Sequence, residues 1–241
     1  MYHSITFNSN TNTYTDWGLV PESRPLIAAP KRKTNYIDIP GANGSLDLSN
    51  VLTRYPVFND REGSWTFYAI YNNRWKSEKW QERYSEILKV LDSRRVTHTV
   101  RLEDDPNYYY EGSVLVNKWE SLKDYSKVTL DYRLFPYKYW NDLTTLAISP
   151  SGSGWESVYM DYRTLGIMPV SPLITTTGSV EVRLVNDMLA IDETVQLDQG
   201  TDIRVPGFIF SKTTSNPGMT PTIYVKGVGQ TVTFKWRNGD L

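Results

Sequence analysis

Cysteine is absent from the 241 residues, and the functions built on it are excluded with it. No disulfide scaffold, thiolate nucleophile, iron–sulfur ligation or Cys-type zinc site is available. Histidine occurs twice, as His3 and His98, each in a strand-like run with no second ligand at metal spacing. Neither marks a metal site. An excess of one charge is lacking too: 26 Lys and Arg face 27 Asp and Glu, for a formal net charge of −1. Such a chain projects no field that gathers nucleic acid or an anionic membrane, and the run Lys31-Arg32-Lys33 reads as a solvated loop. No apolar run approaches the ~18 residues of a membrane span. The opening MYHSITFNSNTNTYTDW has no basic stretch followed by an apolar one, so no secretion signal is expected. G-x-S-x-G, Walker A, H-E-x-x-H and EF-hand patterns do not occur, and GANGSL (41–46) has neither the Lys nor the following helix of a phosphate loop. The expectation is a protein without catalysis, metal or cofactor.

What is abundant is aromatic: 17 Tyr, 8 Trp and 7 Phe. Flat rings on this scale suit β cores and contact surfaces. The alternation agrees. Tyr2–Phe7, Gly63–Tyr71, Thr97–Leu102, Tyr108–Trp119 and Tyr125–Phe135 all repeat with period two. In Gly63–Tyr71 both faces are largely apolar, which predicts cover on both sides. Gly112 reads as a bulge or bend. The last two runs read as a hairpin around Leu122-Lys123-Asp124. Between them and the first strands the period changes to that of a helix over about 76–92, with Trp80, Tyr84, Ile87, Leu88 and Leu91 on one face and Glu82, Arg83, Glu86 and Lys89 on the other. Pro21, Pro25 and Pro30 forbid a helix before it and predict an extended arm or sheet-edge segment.

Beyond Pro136 the composition shifts. Residues 146–157 are rich in Ser, Gly and Pro, and short strands follow: Ser157–Tyr162, Leu173–Thr176, Ser179–Val185, Met188–Ile191, Thr194–Leu197, Pro221–Lys226 and Thr231–Trp236. Turn signals such as Thr177-Gly178, Asn186-Asp187 and Asn216-Pro217-Gly218 separate them, as in a small all-β sandwich. The fold class is therefore mainly β. The expected domains are 1–139, a β-sandwich-like domain with one α-helix, and 140–241, a smaller all-β sandwich.

Three stretches invite a functional reading. Glu103-Asp104-Asp105 offers paired carboxylates of the kind glycosidases use, but neighbours in a strand face opposite ways and Asp105-Pro106-Asn107 reads as a turn. Asp104 and Asp105 are expected to cap it. Trp155, Tyr159 and Tyr162 are candidate saccharide contacts, with core packing or a subunit interface as the alternative; Tyr159 and Tyr162 differ in strand parity. YIDIPGANGSLDL (36–48) spells two short strands about an Asn43-Gly44 hairpin turn.

Taken in order, DWGLVPESRPLIAAPKRKTNYIDIPGANGSLDLSNVLTRYPVFNDREGSWTF (16–67), LEDDPNYYYEGSVLVNKW (102–119) and YSKVTLDYRLFPYKYW (125–140) resemble the N-terminal domain of siphophage distal tail (Dit) proteins. The resemblance covers residues 5–140 and assigns no motif to 141–241. It implies a structural virion protein of a long-tailed phage or prophage, at the distal tip of the tail and assembled in the bacterial host cytoplasm. Six copies close into a hexameric ring, the hub between the major tail tube protein and the tail tip or baseplate with its lysin or fibre. The C-terminal domain then projects, with a galectin-like or carbohydrate-binding fold in several members. The alternative function is a carbohydrate-binding host-adhesion module that grips cell-wall saccharide. On this resemblance Pro40, Gly41, Asn43, Gly44, Leu46, Tyr137 and Tyr139 are expected at the subunit interface.

Overall fold

The computed structural model describes residues 3–70, 79–92, 97–121, 125–212 and 220–241. Tyr71 of the expected strand, residues 76–78 of the expected helix and the turns at 122–124 and 216–218 lie outside them. In chain order the strands are β1 (Ile5–Phe7), β2 (Thr11–Asn12), β3 (Leu19–Pro21), β4 (Tyr36–Asp38), β5 (Ser45–Asp47), β6 (Arg61–Ala69), β7 (His98–Leu102), β8 (Tyr108–Ser121), β9 (Ser126–Leu134), β10 (Lys138–Ile148), β11 (Glu156–Tyr159), β12 (Leu173–Thr176), β13 (Val180–Asn186), β14 (Ile191–Leu197), β15 (Gly200–Ile203), β16 (Thr222–Lys226) and β17 (Val232–Asp240). Among the described residues there is one α-helix, α1 (Trp80–Leu91). The fold is mainly β, as the alternation predicts. Chain contacts form two compact units, 1–33 with 58–138 and 34–57 with 139–241. The excursion 34–57, which the sequence reading assigns to the first domain, makes its contacts within the second unit.

In the first unit seven antiparallel strands run in the order β2-β1-β7-β8-β9-β6-β3. Alternation decides which side is core. Val128, Leu130, Tyr132 and Leu134 of β9 are buried beside Trp65, Phe67 and Ala69 of β6 and Val114 of β8. The other face of β6 is only half-buried at Thr66 and Tyr68, contrary to the expected double cover. Tyr68 stands at the rim because its hydroxyl donates to Glu22 (2.7 Å), which also pairs with Lys127 (2.9 Å). Gly112 is not the bulge. The register of β8 and β9 slips between Val116 and Lys118, whereas Gly112 lets two backbones approach: a Cβ there would meet the Arg133 carbonyl and Leu134 Cα.

The proline-bearing arm is a sheet-edge strand at β3, bends at Glu22-Ser23 and then runs without helix or strand through Pro30. Side chains from the sheet satisfy its backbone. Trp65 Nε1 donates to the Leu26 carbonyl (2.9 Å), Tyr132 Oη accepts from the Ala28 amide (3.0 Å), and Arg61 Nη1 donates to the Ala28 carbonyl (2.9 Å). Arg61 is buried and its Nε also donates to the Pro136 carbonyl (2.8 Å); burial pulls its pKa down. Helix α1 turns the expected apolar face inward and adds Arg83 to it. Trp80, Arg83, Ile87 and Leu91 are buried. Arg83 leaves the expected solvent face because its guanidinium donates to the Ile70 carbonyl (2.8 Å) and lies over the Trp80 ring (5.4 Å), so its long stem packs as an apolar group. Trp80 stacks on Trp119 of β8 at 3.9 Å between centroids.

The second unit is a sandwich in which the strand run β15-β12-β17-β10 packs against the four-stranded sheet β11-β16-β13-β14. Ile174, Phe234 and Trp236 from one sheet and Val182, Leu184, Ile223 and Val225 from the other fill its core. Three expected boundaries move. The strand expected over Ser157–Tyr162 stops at Tyr159, where Asp161 caps a 3₁₀ turn (Tyr162–Thr164) by accepting from the Arg163 amide (2.9 Å). Met188–Ile191 is mostly the 3₁₀ turn Asp187–Leu189, capped by Asn186, and β14 starts at Ile191. Strand β10 was not expected, because its apolar residues do not alternate cleanly, Leu143 being exposed, and its burial alternates weakly.

Candidate functional site

The three carboxylates at 103–105 serve as ties to three different segments. Glu103 accepts from the amide (2.8 Å) and hydroxyl (3.0 Å) of Ser4. Asp104 accepts from His3 Nδ1 (2.8 Å) and Arg24 Nε (2.9 Å), and these bonds, His3's first, hold its pKa below the ordinary carboxylate value. Asp105 pairs with Lys138 (3.3 Å). They fasten the N-terminal strand, the arm and the start of β10 to the β7–β8 turn, and do not converge on a shared reacting position. His98 is buried, donates from Nε2 to the Leu91 carbonyl (3.0 Å) and accepts at Nδ1 from Asn8 Nδ2 (3.2 Å). Asn8 is oriented by its Oδ1, which accepts from the Thr99 amide. Among the described residues no three His, Asp or Glu side chains gather to hold a metal.

Two surfaces stand out instead. The first is the β4–β5 hairpin. Tyr36 faces Asp47, Ile37 faces Leu46 and Asp38 faces Ser45 across it, and every residue of both strands is exposed. The turn forms because Gly41 and Gly44 take φ of +83° and +78°, with the Ala42 amide closing on the Ile39 carbonyl (3.1 Å). Pro40, Gly41, Asn43 and Gly44 thus meet at one tip, next to Leu46. Tyr36, Ile37, Ile39 and Leu46 are between 47% and 59% exposed, and Leu52 reaches 96%. The excursion is anchored at its far end, where Arg54 Nη1 donates to the Ala190 carbonyl (2.6 Å). Tyr137 belongs to the first unit and packs edge-on against Phe58 (6.0 Å), and Tyr139 sits half-buried in β10.

The second surface is the outer face of the β11-β16-β13-β14 sheet. Trp155 and Tyr159 both project there, 42% and 75% exposed. Tyr162 leaves the strand for the 3₁₀ turn. The structure adds Tyr224, Lys226, Glu181, Arg183 and Asp192, which sequence reasoning passed over. The signal was present in TIYVK (222–226): buried Ile223 and Val225 alternate with Tyr224 and Lys226, which places the latter pair outward.

No protein-family model and no curated protein sequence matches the chain. Among solved structures, the crystal structure of SPP1 Dit (gp 19.1), described as a paradigm of the hub adsorption apparatus in Gram-positive infecting phages, superposes with a TM-score of 0.62 at 14% identity. The match covers 98% of this chain and 99% of that one. The fold is Dit-like. Both units are included, so the likeness extends through residues 141–241, where the sequence offered no motif.

Proposed function

We propose that this chain is a structural virion protein of a long-tailed phage or prophage, a distal tail protein. Its copies close into a hexameric ring that joins the tail tube to the tip or baseplate, at the distal end of the virion. The neighbours in that reading are the major tail tube protein on one side and a lysin, fibre or baseplate protein on the other. The chain works by association and carries no catalytic step. The Dit-like fold over 98% of the chain supports the tail role.

The observation that carries self-association is the β4–β5 hairpin. A two-stranded hairpin is marginal by itself, and this one leaves Ile37, Ile39 and Leu46 about half exposed. A patch of that kind marks a contact. Its two outer edges offer backbone groups that a neighbouring strand can continue. The prolines of the preceding arm fix φ and lower the ordering cost of docking. A ring needs two different surfaces that meet. Pro40, Gly41, Asn43, Gly44 and Leu46 form one in this reading, and the half-buried Tyr137 and Tyr139 contribute to the other. Light scattering on the purified chain tests it. A mass near six times the 27.8 kDa chain is expected, and a strict monomer at high concentration contradicts it.

A further inference from the structure

The dipeptide Asn-Gly occurs twice in the sequence, as Asn43-Gly44 and Asn238-Gly239, and the fold gives the two opposite surroundings. The pair is chemically reactive. Glycine has no Cβ to keep its amide nitrogen away from the side-chain carbon of the preceding asparagine. Where the backbone is free to bring the two together, a five-membered ring can close.

Asn238 is held against this. It is buried in β17, where its Nδ2 donates to the Thr144 hydroxyl (2.8 Å) and the Thr164 carbonyl (2.7 Å). Its Oδ1 accepts from the Gly166 amide (2.9 Å) and from Trp236 Nε1 (2.9 Å). Gly239 is buried with it, and its carbonyl accepts from the Met168 amide (2.9 Å). Asn43 and Gly44 are instead exposed at the tip of the β4–β5 hairpin. No hydrogen bond among the described residues holds the Asn43 side chain or the Gly44 amide. Gly44 takes φ of +78°, and nothing lies within 4 Å of the place a Cβ would occupy. Only three residue pairs fix the strands below the tip.

We propose that Asn43 is a self-modification site, at which the Gly44 amide nitrogen attacks Asn43 Cγ. The new N–Cγ bond forms and the Cγ–Nδ2 bond breaks. The Gly44 amide proton passes through solvent to Nδ2, which leaves as ammonia. Water then adds to the resulting succinimide. Opening at Cγ leaves aspartate at position 43, and opening at the backbone carbonyl leaves isoaspartate, whose main chain runs through the former side chain. Neither step needs an oxidant, a reductant or an enzyme. Both products set a third carboxylate beside Asp38 and Asp47, the only charged residues of 36–48. Isoaspartate also lengthens the main chain by one carbon between the positive-φ glycines Gly41 and Gly44 that shape the turn. A copy that stays unassembled therefore loses its hairpin tip as a contact surface with age. That consequence rests on the hairpin contact proposed above; the modification does not.

Peptide mapping by mass spectrometry tests it on the full chain, aged in mildly alkaline buffer after size exclusion has separated free chain from oligomer. In the free chain Asn43 should gain the mass of amide-to-acid conversion, as two separable isomers, more than about a hundredfold faster than Asn238, whose buried strand must open first. Asn43→Gln should abolish the gain at the tip and Gly44→Ala should slow it severalfold. Should the wild type yield no free chain, the Ile37→Asp, Leu46→Asp variant supplies it. No conversion at Asn43 in the free chain overturns the proposal. So does equal conversion at Asn43 and Asn238, or a wild-type rate in Gly44→Ala. Conversion in the oligomer as fast as in the free chain supports the modification and contradicts the hairpin contact. Asn43→Asp should lower the oligomer mass in light scattering, and an unchanged mass overturns the consequence for assembly.

Discussion

The β8–β9 hairpin and the β4–β5 hairpin are built from the same kind of pairing and do opposite things with their apolar residues. In the first, Val114, Val128, Leu130 and Leu134 are fully shielded from solvent by the core of their own unit. In the second, Ile37 and Leu46 face each other across the strands and remain 47% and 48% exposed. Length explains part of this. The β8–β9 pairing runs from Gly112–Leu134 to Ser121–Ser126, and its neighbours β7 and β6 hold it on both edges. The β4–β5 pairing has three residue pairs and no further strand in its sheet. One hairpin buries its apolar residues within its own unit, and the other leaves them in solvent, which is why we propose that it docks on another copy.

Substitutions can break that contrast, and the largest effect belongs to the buried hairpin. Leu130→Ala removes a fully shielded side chain and should cost about 2–5 kcal/mol in denaturant unfolding. A loss below about 1 kcal/mol would mean that this core is looser than described. Next comes Arg61→Ala, which strands the Ala28 and Pro136 carbonyls and should cost about 1–3 kcal/mol by the same assay. The double variant Ile37→Asp, Leu46→Asp should stay within about 0.5 kcal/mol of wild type in unfolding. It should nevertheless lose the oligomer in light scattering. A hairpin that serves its own fold would show the reverse.

The smallest effect concerns pH and the N-terminal tie. Bonds from His3 and Arg24 depress the Asp104 pKa in the folded chain. The tie is therefore complete above the ordinary Asp value of about 3.9 and fades as pH falls through the lower folded value. The protection of the Ile5–Phe7 amides from hydrogen exchange, measured relative to the intrinsic rate at each pH, should fall in acid below that range and stay flat above it. Asp104→Asn should remove the acid transition.

Much of the first unit was legible in the sequence because its alternation is strict. Val128 to Leu134 read as one buried face and are one. The helix was legible as a helix, but Arg83 was misplaced, since no linear pattern reveals a guanidinium bonded to Ile70. Strand β10 was hidden by Pro136 and by a sequence whose apolar residues do not alternate. The start of β14 was hidden by the exposed Asp192-Glu193. Asn43-Gly44 announced the hairpin turn, while the exposure of Ile37 and Leu46 needed coordinates. Trp155 and Tyr159 were read together with Tyr162, which the 3₁₀ turn takes out of the strand, whereas Tyr224 comes beside Tyr159 only through the β11–β16 register, which sequence spacing does not encode.

The claim that the exposed hairpin joins copies of the chain is tested most directly by negative-stain electron microscopy of the purified protein. Closed six-fold rings are predicted for wild type, with isolated particles for the Ile37→Asp, Leu46→Asp variant. Isolated particles for wild type at every concentration, or rings that persist in the double variant, would contradict it.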